Sequence, residues 1–126
     1  MRRFLWNSVV GAMLITLVCA TGCNRTTPPP EPLEVSELPA VVEKAFAKAA
    51  PETKALASQV VTSVQAQDYA KGFAAVQALA SRPGLSKEQV NVTSRVMLTV
   101  SSLLQAAQAK GDAAATRTLE NYRRDK

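Results

Sequence analysis

Histidine is absent from all 126 residues, and cysteine occurs only at Cys19 and Cys23. Catalysis near neutral pH most often draws on an imidazole, a thiolate, a metal or a perturbed carboxylate pair. The acids here are scattered one or two to a segment, as on solvated surfaces. Neither a Ser-x-x-Lys pair nor a glycine-rich phosphate loop occurs. An enzyme is therefore not expected, and neither is a metal site or a cofactor. Dense charge of one sign is also missing. Fifteen Lys and Arg against ten Asp and Glu give a formal charge of +5, with the two signs interspersed. Nucleic-acid binders carry a dense basic face or a recognisable reading element; neither is present. Long apolar runs are short as well. The longest, Phe4 to Val18, is broken by Asn7, Ser8 and Thr16 and falls below the roughly twenty residues of a bilayer span.

What stands at the start reads as an export signal. Arg2 and Arg3 supply a positive beginning, the apolar run follows, and Ala20-Thr21-Gly22 offers the small residues that a signal peptidase needs. On spacing alone, Cys19 and Cys23 are open to a disulfide or a metal site. However, Ala20-Thr21-Gly22-Cys23 resembles the lipobox of bacterial lipoproteins, with Ala20 where Leu is more usual. The resemblance implies cleavage between Gly22 and Cys23, so that residues 1–22 leave as a signal peptide and take Cys19 with them. It also implies a diacylglyceryl group on the Cys23 thiol. Two acyl chains anchor stably where one binds only marginally, so the implied partner of this end is the membrane. No free thiol would then be left in the mature chain. In enterobacterial lipoproteins an Asp after the cysteine retains the protein at the inner membrane. Asn24 stands there, which implies a lipid anchor in the outer membrane, facing the periplasm, in preference to the inner.

Residues 23–37 read as the lipidated cysteine and a proline-rich linker. Pro28, Pro29, Pro30 and Pro32 lie among Glu31, Glu34 and Glu37. Prolines this dense favour polyproline II at about 3.1 Å per residue, a semi-rigid spacer. Such a spacer would hold a folded domain a few nanometres off the bilayer.

Residues 38–126 read as an all-α domain of four to five short helices, arranged as antiparallel hairpins or a small bundle. Leu38, Val42, Ala45 and Ala49 recur at helical spacing, and Pro51 forbids continuation. Leu56, Val60 and Val64 mark a second helix. Asp68 is placed to cap a third, in which Tyr69, Phe73, Val76 and Ala80 form an apolar ridge. Gly72 lies inside it, either because a neighbouring helix comes close or as neutral drift at a solvated position. Arg82-Pro83-Gly84 breaks the helix. Ser86 and Gln89 then have capping-box spacing, with Leu85 and Val90 able to close a hydrophobic staple. The next helix runs to about Lys110 with Val90, Met97, Val100, Leu104 and Ala107 inward. Gly111 ends it, and Asp112 caps a last helix carrying Ala115, Leu119 and Tyr122. Alanine supplies nineteen of residues 23–126, and only Phe46, Tyr69, Phe73 and Tyr122 are aromatic. Such a core buries little area per side chain and favours close helix approach.

The segment Val64 to Ala70 is echoed by Ala107 to Ala113, which suggests two stacked hairpins. Asp68-Tyr69-Ala70-Lys71-Gly72-Phe73 resembles the second-helix start of tetratricopeptide repeats, with Gln67 in place of the turn glycine. The first-helix tryptophan and Leu-Gly pair of those repeats are absent. With catalytic chemistry missing, a helical domain on a lipid anchor reads as a non-catalytic interaction or scaffold module for an envelope protein partner. Aromatics and Arg dominate binding energy when exposed, so Tyr69, Phe73, Arg95 and Tyr122 are the candidate partner-binding residues. Separately, the tail Tyr122-Arg123-Arg124-Asp125-Lys126 resembles that of the major murein lipoprotein, joined to peptidoglycan through its terminal lysine. That likeness implies an alternative, a structural tether through Lys126. Arg124 and Asp125 are extra, and the uninterrupted heptads of that coiled coil are missing.

Overall fold

The computed structural model describes residues 28–126; the segment read as an export signal, with Gly22 and Cys23, lies outside them. Five helices follow one another: α1 (Leu38–Phe46), α2 (Pro51–Gln65), α3 (Tyr69–Ala80), α4 (Lys87–Ala109) and α5 (Ala113–Arg124). No strand occurs among the described residues. Each helix starts where the local chemistry serves its first turn. A proline stands in the first turn of α1 and of α2, where its missing N–H costs nothing. The Asp68 carboxylate accepts from the Lys71 N–H at 3.2 Å, and that of Asp112 accepts from the Ala115 N–H at 3.0 Å. Ser86 and Gln89 complete a reciprocal capping box at the head of α4.

The ends are equally local. In the turn between α2 and α3, the Asp68 N–H donates to Ser63 O at 2.9 Å and the Gln67 N–H to Val64 O at 3.0 Å. Between α4 and α5, the Asp112 N–H donates to Ala107 O at 3.1 Å and the Gly111 N–H to Gln108 O at 2.9 Å. Both are Schellman closures running directly into an Asp cap. Gly111 takes φ +87°, and Gln67 takes φ +59° without the glycine that makes such an angle easy. α1 stops at Phe46, earlier than Pro51 alone requires. Ala50 must be extended to precede a proline, at ψ 150°, and the intervening residues make the turn.

α3 lies at the centre, packed on α2, α4 and α5, while α1 packs on α2 and α4. With connections this short, sequential neighbours run antiparallel. The core is aliphatic, built on Val60, Val76, Val100 and Leu104, with Phe46 and Phe73 the only buried rings among the described residues. Gly72 is buried where helices cross. A Cβ built there would lie 3.5 Å from Ser63 Cβ, 3.6 Å from Val64 Cγ2 and 3.8 Å from Val100 Cγ1. The position is buried at a helix crossing and not solvated, yet these are ordinary contact distances that leave room for a methyl group.

Three expectations are corrected. On α3, Leu79 is buried and Ala80 is exposed, so the ridge continues through Leu79. On α4, the buried stripe is Val92, Val96, Val100 and Leu104, and half-buried Met97 packs against the core as expected, while Val90 is 50% exposed. Val90 belongs with Leu98 to a second apolar stripe on the outward side. Finally, the proline segment is not spacer throughout. Leu33 is only 3% exposed, and its carbonyl accepts from Thr99 Oγ1 at 2.7 Å. Two residues earlier, Glu31 O accepts from Arg95 Nε at 2.9 Å. A large apolar side chain among prolines has found the core, and residues 28–34 form a strap laid on α4.

Candidate functional site

Of the residues singled out in the sequence, the fold brings three together. Phe73 lies buried on α3, and its ring meets that of Tyr122 on α5 edge-on, with centroids 5.3 Å apart and planes at 88°. This is the geometry that aromatic quadrupoles favour. Tyr122 is one of the few large apolar side chains left substantially in solvent, at 37%. The Lys126 ammonium sits over the Tyr122 ring, 4.8 Å from its centroid, within cation–π range. Lys126 therefore folds back on α5 instead of extending away from it.

These residues bound a groove of about 490 Å³ between α3 and α5, with Ala74, Gln77 and Asn121 completing its walls. On the α3 side the small side chains of Ala70 and Ala74 line the groove beside the rings, and on the α5 side Thr118 joins Asn121. Chemically, the groove offers an aromatic platform, two side-chain amides, and a cation beside the carboxylate of Asp125. It can receive an apolar side chain and hydrogen-bond the backbone that carries it.

The other two candidates lie elsewhere. Tyr69 is half-buried and packs against the core, where its ring fills space at the start of α3. Arg95 is half-buried beside the strap, its Nε committed to Glu31 O. Both have structural partners and line none of the grooves described here. Cys23 and Gly22 lie outside the described residues. No group of three metal-ligating side chains occurs among the described residues, and none of their helices is long and apolar enough to cross a membrane.

Two features escaped the sequence. A smaller groove of about 260 Å³ runs between α1 and α2, floored by Val42, Phe46 and Ala57 with Glu43 and Lys54 at its rim. And Gln89, expected only in the capping box, also donates from Nε2 to Ala45 O at 3.2 Å, tying the head of α4 to the tail of α1. The apolar excess on α4, at positions 90 and 98 besides the buried stripe, was the available signal for an outward face. No family model, curated protein or solved structure matches this chain. The likeness to tetratricopeptide repeats thus rests on local sequence around one turn.

Proposed function

We propose that this chain is a bacterial lipoprotein, anchored by acyl chains on Cys23, whose helical domain serves as a non-catalytic interaction or scaffold module in the cell envelope. Its partner is an envelope protein that places an apolar side chain in the groove between α3 and α5. The observation that supports this reading is the half-open aromatic pair: Tyr122 stands 37% exposed over the buried Phe73, with amides on either side. Tyrosine in such a setting concentrates binding energy, and truncating a hot-spot residue costs about 2 kcal/mol or more, roughly thirtyfold in affinity.

The test is site-specific photo-crosslinking in the intact envelope, with p-benzoylphenylalanine at Asn121 in the groove or at Glu88 outside it. A discrete protein adduct is expected from position 121, absent from position 88 and lost when Tyr122→Ala is added. Adducts that are the same from both positions, or indifferent to Tyr122→Ala, would contradict the assignment of the groove.

A further inference from the structure

The outward stripe of α4 raises the question of what covers it. Val90 is 50% and Leu98 42% exposed, two of the four large apolar side chains so placed in the described residues. With Ser94 between them they repeat at one-turn spacing, and the stripe from Lys87 to Leu98 is about 17 Å long at 1.5 Å per residue. Two shallow grooves run along it, of about 420 Å³ and 320 Å³, sharing Ser94 on α4 and Pro30 on the strap. Pro28 lines the first of them. The only charged residue lining either groove is Lys87; no carboxylate faces them.

The strap decides which surface meets this face. Because Leu33 is held in the core and Glu31 O by Arg95, the chain is fixed to α4 well before α1 begins. Cys23 is five residues ahead of Pro28, a reach of at most about 17 Å for an extended chain. A domain of this size has a radius of gyration near 13 Å, hence a diameter of about 34 Å, so the leash is about half the width of the body it holds. The domain cannot turn its far side to the anchor. The side where the strap begins must face the acyl chains, and that side carries Val90 and Leu98.

We propose that the outward face of α4 and the strap laid on it form a bilayer-docking surface, with Val90 and Leu98 at headgroup depth and Lys87 among the phosphates. This rests on acylation of Cys23, as in the function proposed above. An apolar stripe with cationic flanking is what interfacial helices present to lipid. Two half-exposed side chains bind a bilayer weakly when free. A leash this short raises the local concentration of lipid enough to hold them there.

The experiment uses the full mature chain purified with its anchor and reconstituted into phosphatidylethanolamine–phosphatidylglycerol vesicles containing a headgroup-proximal spin-labelled lipid. A fluorophore is placed through Val90→Cys, Leu98→Cys or, as control, Lys110→Cys. Position 110 is exposed and about 30 Å along α4 from position 90. Quenching at 90 and 98 at least twice that at 110 is expected, unchanged when protein is diluted tenfold against lipid. Equal quenching at all three sites overturns the docking and leaves the anchor standing. Quenching at 90 and 98 that matches position 110 at high protein and rises only on dilution also overturns it, since a second copy is then the occupant. The mass of the purified chain separates the two proposals: a chain without acyl groups overturns both.

Discussion

A glycine in the middle of a helix costs about 1 kcal/mol relative to alanine, and Gly72 occupies such a place on α3 at its crossing with α2 and α4. The distances from a built Cβ, 3.5 to 3.8 Å, are ordinary contacts and not overlaps, so a methyl group fits without repacking. Gly72→Ala is therefore expected to stabilise by about 0.5–1 kcal/mol, read as a higher urea midpoint at unchanged slope. A lower midpoint would mean that the helices need the bare backbone to close. Sequence alone left this residue open between close approach and drift, because burial is set by elements far apart in the chain. The caps were legible for the opposite reason. Asp68, Ser86 with Gln89, and Asp112 act within four residues, so spacing carries the whole interaction. The second bond of Gln89, to Ala45 O, joins residues 44 apart and leaves no local trace.

At the level of elements, the strap and α4 depart most from expectation. Prolines at 28, 29, 30 and 32 argued for a spacer, yet one leucine among them buries fully and draws the backbone onto α4. The Thr99 hydroxyl satisfies the Leu33 carbonyl at 2.7 Å in a buried setting, while also lying 3.2 Å from Arg95 O. Thr99→Val keeps the shape and removes the donor, leaving that carbonyl unpaired. A loss of about 1–3 kcal/mol is expected. Hydrogen exchange should quicken at residues 33–35, where the strap is held, before it does so in α3. Unchanged exchange there would show that apolar contact alone holds the strap. α4 itself illustrates a limit of periodicity: with apolar residues on two faces, 3.6-residue spacing predicts a helix but cannot say which stripe turns inward. Spacing puts Val90 inward on equal grounds with Val100 and Leu104, and only the packing of α1, α3 and the strap distinguishes them.

Taken as one body, the described chain is all-helical, as the unbroken 3/4 spacing and the short breaks at Pro51, Gln67 and Arg82–Gly84 required. Partner surfaces were harder to foresee, since a groove exists only once two helices have crossed. Tyr122 and Phe73 were chosen for side-chain type, and the fold places them in contact; Arg95, chosen likewise, serves the strap. The strap also shortens the proposed leash to the anchor, from a few nanometres to about 17 Å, and with it narrows the orientations open to the domain. Everything functional in this picture depends on the thiol of Cys23. Metabolic labelling with palmitate, followed by fractionation of wild type and Cys23→Ser, tests that most directly. Label in the wild-type band, envelope fractionation, and the loss of both in Cys23→Ser are expected. An unlabelled wild-type chain, or a Cys23→Ser chain still sedimenting with the envelope, would contradict it.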